Sequence, residues 1–121
     1  MTFGQARLRN LTPHALDLWL AGGRVRLPAE LPSPRLPLRR TVLGCLDTPL
    51  GPVPLTETVL DGGVHDLPAP EDGVWLVVSR LVVEACPDRD DLLFPDDAVR
   101  DSDSATVVGC RALGRLSRTF S

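Results

Sequence analysis

The chain has 121 residues and a formal net charge of −3, and this length indicates one domain. All 13 basic residues are Arg and none is Lys, which is typical of a GC-rich bacterium or of its phages and plasmids. A net acidic chain whose longest basic run is Arg39-Arg40 does not fit a duplex-DNA-binding protein, because such a protein needs a basic face.

The sequence shows neither a membrane span nor a secretory signal. No window approaches the ~18 apolar residues of a span, and the N-terminal residues MTFGQARLRN lack an apolar signal region. We therefore expect a cytoplasmic protein without a membrane partner. The three cysteines, Cys45, Cys86 and Cys110, form no CxxC or CxxH pattern, so we expect small buried hydrophobes rather than a zinc site, and no other cofactor.

Pro and Gly punctuate the first 70 residues, which predicts short strands and turns because Pro is excluded from helix interiors and central strands. The Pro-rich stretch 28–37 predicts an extended crossing along a sheet edge. Residues 46–55 predict a loop or a wide hairpin. Alternating apolar and polar residues and β-prone runs predict strands at 6–11, 15–20, 24–27, 39–46 and 56–60.

The chain changes character near residue 71. The continuous apolar run VWLVV at 74–78 predicts a central strand covered on both faces. Ser79 is a suitable N-cap for a short helix over residues 80–86, and Pro87 ends that helix.

Residues 87–103 are polar and turn-rich, and predict an ordered functional loop. A last strand is predicted at 105–113, followed by a frayed tail at 114–121. Together these elements predict one α+β, mostly β domain over 1–121. We expect a small barrel or sandwich of six or seven short strands with one short helix.

The stretch NLTPH, residues 10–14, contains the one Asn of the chain and one of its two His residues. Asn10-Leu11-Thr12 matches an N-glycosylation sequon, which we reject because no secretion signal is present and Pro13 follows directly. Pro13 presets φ and the Thr12 hydroxyl closes a bend, so a turn between two strands is predicted. His14 has no local partner for catalysis.

The order of NLTPH, VVS, PDRDDL, FPDDAVRD and GCRAL resembles a family of small uncharacterised proteins of actinobacteria, cyanobacteria, phages and plasmids. The resemblance covers residues 9–113. It implies a compact domain carried on mobile genetic elements, and it implies no reaction.

The candidate site is a group of alternating acidic and basic residues beyond the predicted central strand. In a pocket, its Arg side chains would hold an anionic group such as a nucleotide phosphate. Its Asp side chains would accept hydrogen bonds from hydroxyls or from an exocyclic amine of the ligand. Trp19 or Phe94 would stack on a base. The alternative is a solvated ion-pair network. The candidate residues are His14, Ser79, Arg80, Asp88, Arg89, Asp90, Arg100 and Asp101, with Asp91 beside them.

The leading hypothesis is a non-enzymatic, oligomeric binding domain for a nucleotide-like ligand, used by a mobile element to sequester a host-defence signal. One alternative is a protein-interaction module that docks through residues 28–37 or an exposed strand edge. Another is a small hydrolase that uses the Asp-rich loop, or Ser79 with His14 or His65, although no GxSxG motif surrounds Ser79. A further alternative is a divalent metal held by Asp88, Asp90 and Asp91, whose spacing does not fit an EF-hand.

Overall fold

The structure is a computed structural model that describes residues 4–117. Within this range the chain forms eight strands and one helix, where six or seven strands were expected. The elements are β1 (Arg7–Asn10), β2 (Leu16–Leu20), β3 (Gly23–Leu27), β4 (Leu38–Thr48), β5 (Gly51–Leu60), β6 (Val74–Val77), α1 (Arg80–Ala85), β7 (Leu92–Arg100) and β8 (Val107–Gly114).

Six strands form one mixed sheet in the order β1-β6-β7-β8-β2-β3, which curls as half of a barrel. β6 runs parallel to both β1 and β7, and α1 connects β6 to β7. β8 is antiparallel to β7 and parallel to β2, and β2 and β3 form an antiparallel hairpin. The expected mostly β single domain with one short helix is confirmed. The one helix of the described residues, α1, lacks the length and apolar character needed to span a membrane.

The predicted central strand is β6, and it is buried on both faces. Val77 and Val78 are 0% exposed and Leu76 is 1% exposed, which explains why its apolar residues are continuous rather than alternating. The chain then enters α1 at Ser79, whose hydroxyl accepts a hydrogen bond from the Val82 backbone N–H at 3.4 Å. The predicted cap is therefore present.

The core lies where α1 and the connecting segments cover the sheet. The Pro-rich crossing contributes Leu36 to it, and the segment before β6 contributes Val64 and Leu67. Other side chains of the crossing stay exposed, such as Leu31 at 74%, so this segment packs only partly against the core. The buried side chains of this core are Leu11, Leu76, Val78, Val82, Val83, Leu92 and Phe94.

The prediction of a loop over residues 87–103 is wrong, because most of it is β7. The Pro95-Asp96-Asp97 run suggested a turn, since these residue types are rare in strands. The burial of Leu92 and Phe94, 2% and 8% exposed, outweighs that local preference. Leu92 and Leu93 therefore pair with β6, and residues 94–100 pair with β8.

Residues 46–55 form neither a loop nor a wide hairpin. β4 and β5 continue through them and are joined by a tight turn at Pro49-Leu50. We call the resulting hairpin, Leu38–Leu60, the arm; it is a separate two-stranded sheet. Cys45 lies on the arm and is exposed, whereas burial was expected; Cys110 is buried and Cys86 is half-buried.

The last described residues continue into the body of the fold. Gly114 ends β8, and Leu116 packs against the core. The part of the expected frayed tail at 118–121 lies outside the described residues.

Candidate functional site

The predicted cluster of Asp and Arg residues is divided between two places in the fold. Residues 88–91 precede β7, whereas Arg100 ends it and Asp101 follows it. A nine-residue strand is about 30 Å long, so the two groups cannot hold one small ligand between them. The two groups therefore belong to separate parts of the surface.

Arg89 belongs to a structural ion pair. Its Nε and Nη2 donate to the two carboxylate oxygens of Asp91, each at 2.8 Å, and Nη2 also donates to the Pro68 carbonyl at 2.8 Å. The two side chains are only 19% and 11% exposed. The hydrogen bonding of Arg89 to the Asp91 carboxylate, which accepts, is the largest cause of the raised pKa of Arg89. This guanidinium fork is already occupied and fastens the start of β7 to the segment before β6.

The residues around α1 are also committed to local structure. The Ser79 hydroxyl caps the helix, and Arg80 pairs with Glu84 at 3.3 Å while its guanidinium lies 5.1 Å from the Phe94 ring centre. Asp88 and Asp90 are exposed. In residues 4–117, no three His, Cys, Asp or Glu side chains converge as a metal ion would require.

The NLTPH stretch forms the turn between β1 and β2 and is organised by Asn10. The Asn10 side chain is 2% exposed, and its Nδ2 donates to the carbonyls of His14 and Leu27, each at 3.0 Å. Its Oδ1 accepts hydrogen bonds from the Thr12 backbone N–H and hydroxyl. Asn10 thereby ties the end of β1 to the end of β3.

The two His residues stand apart from Ser79. His14 is exposed in this turn, and the backbone of His65 pairs with that of Arg35. In the described range, no hydrogen bond joins Ser79 to either His.

The second half of the predicted cluster lies in a groove that also contains Trp19. The groove runs between β2, β3 and the β7–β8 turn, and has a volume of about 760 Å³. We call it the Trp19 groove. It is lined by Asp17, Trp19, Arg24, Arg26, Val99, Arg100, Asp101, Ser102 and Val108.

The β2–β3 ladder positions one wall of the Trp19 groove. Trp19 is opposite Arg24, and Asp17 is opposite Arg26, so the four side chains share one face of the hairpin. The Arg24 guanidinium lies 5.1 Å from the Trp19 ring centre, a cation–π distance. A Cβ on Gly109 would lie 2.6 Å from Trp19 Nε1, so the ring rests on a position that only Gly fits.

The charges of the groove are not all neutralised. Arg26 Nε donates to Asp17 at 2.9 Å, and this hydrogen bond is the main reason that the pKa of Asp17 is lowered. Neither Arg24 nor Arg100 has a carboxylate partner in the described part of the chain; Arg100 Nη1 donates to the Ala105 carbonyl at 3.1 Å. Two guanidinium groups therefore remain available beside an exposed aromatic ring.

Sequence reasoning named three residues that line the groove, Trp19, Arg100 and Asp101, but it missed Arg24 and Arg26. The signal was present, since RVRL alternates and places both Arg side chains on the same face as Trp19 and Asp17. The remaining candidates, His14, Ser79, Arg80, Asp88, Arg89 and Asp90, do not line the groove.

The chain matches no protein-family model, no curated protein and no solved structure.

Proposed function

We propose that the protein is a non-enzymatic binding domain that recognises an anionic, nucleotide-like small molecule in the Trp19 groove. The observation that carries the proposal is the Arg24 guanidinium stacked on Trp19, beside an Arg100 that has no carboxylate partner among the described residues. An aromatic face binds a planar base, and guanidinium groups bind phosphate through paired hydrogen bonds.

Each lining residue has a distinct role in this proposal. Trp19, which is 38% exposed, stacks on the base once the Arg24 guanidinium moves from the ring to the phosphate. Arg24 and Arg100 donate to the phosphate, and the Ala105 carbonyl orients Arg100 for that contact. Asp17 neutralises Arg26, so Arg26 contributes less to anion binding. Asp101 accepts a hydrogen bond from a hydroxyl or an exocyclic amine.

The wider setting of this proposal comes from the sequence. The resemblance to small proteins of phages and plasmids supports a role in sequestering a nucleotide signal of host defence in the cytoplasm. Neither duplex nucleic acid nor a membrane is a partner in this account. A sequestering protein acts by stoichiometric binding, and the chain is proposed to act as an oligomer.

Native mass spectrometry of the purified protein, mixed with a panel of nucleoside monophosphates, diphosphates and cyclic dinucleotides, tests this function. The proposal predicts that at least one nucleotide class is retained at one molecule per groove and is recovered intact after denaturation. Adenosine and guanosine are the matched controls, since they offer a base without a phosphate and should bind much more weakly. Retention of no nucleotide, or recovery of a hydrolysed product, would contradict a sequestering role.

A further inference from the structure

The arm carries eight of the fifteen large hydrophobic residues that are exposed in the described part of the chain. β4 and β5 pair with each other, and neither packs extensively against another strand or the helix in residues 4–117. An isolated two-stranded hairpin is marginally stable in water, so a long apolar one needs a partner surface. Its exposed large hydrophobic residues are Leu38, Val42, Leu43, Leu46, Leu50, Val53, Leu55 and Leu60, between 40% and 95% exposed.

Both faces of the arm carry these side chains. Leu46 is opposite Val53 on one face, and Leu38 is opposite Leu60 on the other. Strand addition at the outer edge of β5 is disfavoured because Pro52 and Pro54 have no backbone N–H to donate. The arm therefore offers side chains rather than a β5 backbone edge to its partner.

The body of the same chain contains an apolar cleft. Its volume is about 380 Å³. Leu8 and Trp75 are opposite each other on β1 and β6, and Leu93 and Leu113 on β7 and β8 continue the row. All four are only half-buried. Ala6 and Arg115 complete the lining, and we call this the Trp75 cleft.

The charges around the two surfaces are complementary. Trp75 and Arg115 also line a neighbouring acidic cleft that contains Glu71, Asp72 and Asp90. The base of the arm carries Arg39 and Arg40, both exposed and neither in an ion pair within the described range. If the apolar part of an arm occupied the Trp75 cleft, Arg39 and Arg40 would approach the acidic residues beside that cleft.

From these observations we propose that two copies of the chain exchange arms, each arm docking on the Trp75 cleft of the other copy. Reciprocal exchange about a two-fold axis closes the assembly as a dimer, because the same two surfaces are used by both copies. A standard interface uses roughly 20–30 residues from each partner, and the arm, from Leu38 to Leu60, is of that size. This inference does not depend on ligand binding in the Trp19 groove.

Sedimentation velocity over a wide concentration series tests the exchange with three variants. Leu46→Glu and Val53→Glu alter the arm, and Leu93→Glu alters the cleft. Burying one Leu or Val favours association by about tenfold or more, and each change occurs twice in the dimer. We therefore expect a wild-type dimer and an increase in the dimerisation constant Kd of about two orders of magnitude for each variant.

Leu81→Glu is the matched control, because Leu81 is 59% exposed on α1, away from both surfaces; it should leave the dimer intact. Since Leu93 is half-buried, circular dichroism must show that its variant is folded. As a second measurement, a variant that combines Leu46→Cys, Leu113→Cys and Cys45→Ser should form an intermolecular disulfide on mild oxidation, since Leu46 lies on the docking face of the arm and Leu113 lines the cleft.

Three outcomes would overturn the proposal. One is a wild-type monomer at every concentration. Another is dissociation caused by the arm variants but not by a folded cleft variant, which would indicate that arms pair with arms. The last is a failure of the Leu46→Cys, Leu113→Cys and Cys45→Ser variant to cross-link in an intact dimer.

Discussion

The Arg24 guanidinium lies 5.1 Å from the centre of the Trp19 ring on the neighbouring strand. The pair exists because β2 and β3 place the two residues directly opposite each other, and because Gly109 leaves room for the ring. It joins a flat aromatic surface to a positive charge that no carboxylate of the described chain neutralises. This combination distinguishes the Trp19 groove from the ion pairs elsewhere on the protein.

Arg89→Ala should lower the free energy of unfolding while leaving ligand binding unchanged. The change leaves the Asp91 carboxylate, which is 11% exposed, without its bidentate partner. We expect a loss of about 1–3 kcal/mol, less than for a fully buried pair because solvent partly screens this one. Urea denaturation measures the loss. If ligand affinity fell and the unfolding free energy did not, Arg89 would be a binding residue.

Asn10→Ala should destabilise the protein through the turn between β1 and β2. The substitution removes four hydrogen bonds made by a side chain that is 2% exposed. At about 1 kcal/mol for each bond, the expected loss is about 2–4 kcal/mol. Thermal and urea unfolding measure it, with the exposed neighbour His14→Ala as a control that should change stability little. Equal stability of the two variants would refute this role of Asn10.

The ion pair between Asp17 and Arg26 should make a pH-dependent contribution to stability. Because the folded state lowers the pKa of Asp17, the contribution is fully present above the unfolded pKa, near 3.8. It is lost as the pH falls through the lower, folded pKa. The difference in urea midpoint between wild type and Asp17→Asn should therefore vanish in acid. A stability difference between wild type and Asp17→Asn that persists in acid would contradict this assignment.

Gly109→Ala should displace Trp19 and distort the groove. The added Cβ would lie 2.5 Å from the Asp17 carbonyl oxygen and 2.6 Å from Trp19 Nε1, both too close for van der Waals contact. We expect a loss of about 1–3 kcal/mol in stability, as for other overpacked sites, and a shift in tryptophan fluorescence. Gly63→Ala, where the new Cβ meets nothing within 4 Å, is the control. An unchanged fluorescence spectrum would show that Trp19 does not rest on Gly109.

Local sequence patterns were sufficient to predict the elements whose residues have structural preferences that agree with the fold. The run VWLVV indicated a strand covered on both faces, because continuous apolar residues are typical of such strands. Ser79 and Pro87 indicated the two ends of the helix, because capping depends on residues next to the helix in the sequence. The β7 strand was missed because Pro95, Asp96 and Asp97 favour a turn, and the packing that overrides them comes from distant segments.

The groove depended on information that one sequence does not contain. The alternation of β3 places Arg24 and Arg26 together, but their proximity to Arg100 requires the order β7-β8-β2-β3. The same limitation explains why Arg89 and Arg100 were grouped in one site. They are near in sequence, yet an extended strand separates them.

Calorimetric titration of a nucleotide from the panel into groove variants tests the central claim most directly. Arg24→Gln and Arg100→Gln each remove one guanidinium, and Arg35→Gln removes an exposed Arg that lies outside the groove. A charge-assisted hydrogen bond contributes about 1.5–3 kcal/mol, so each groove variant should weaken binding about 10–100-fold while the control binds as wild type does. Equal affinity of all four proteins would contradict the assignment of the ligand to the Trp19 groove.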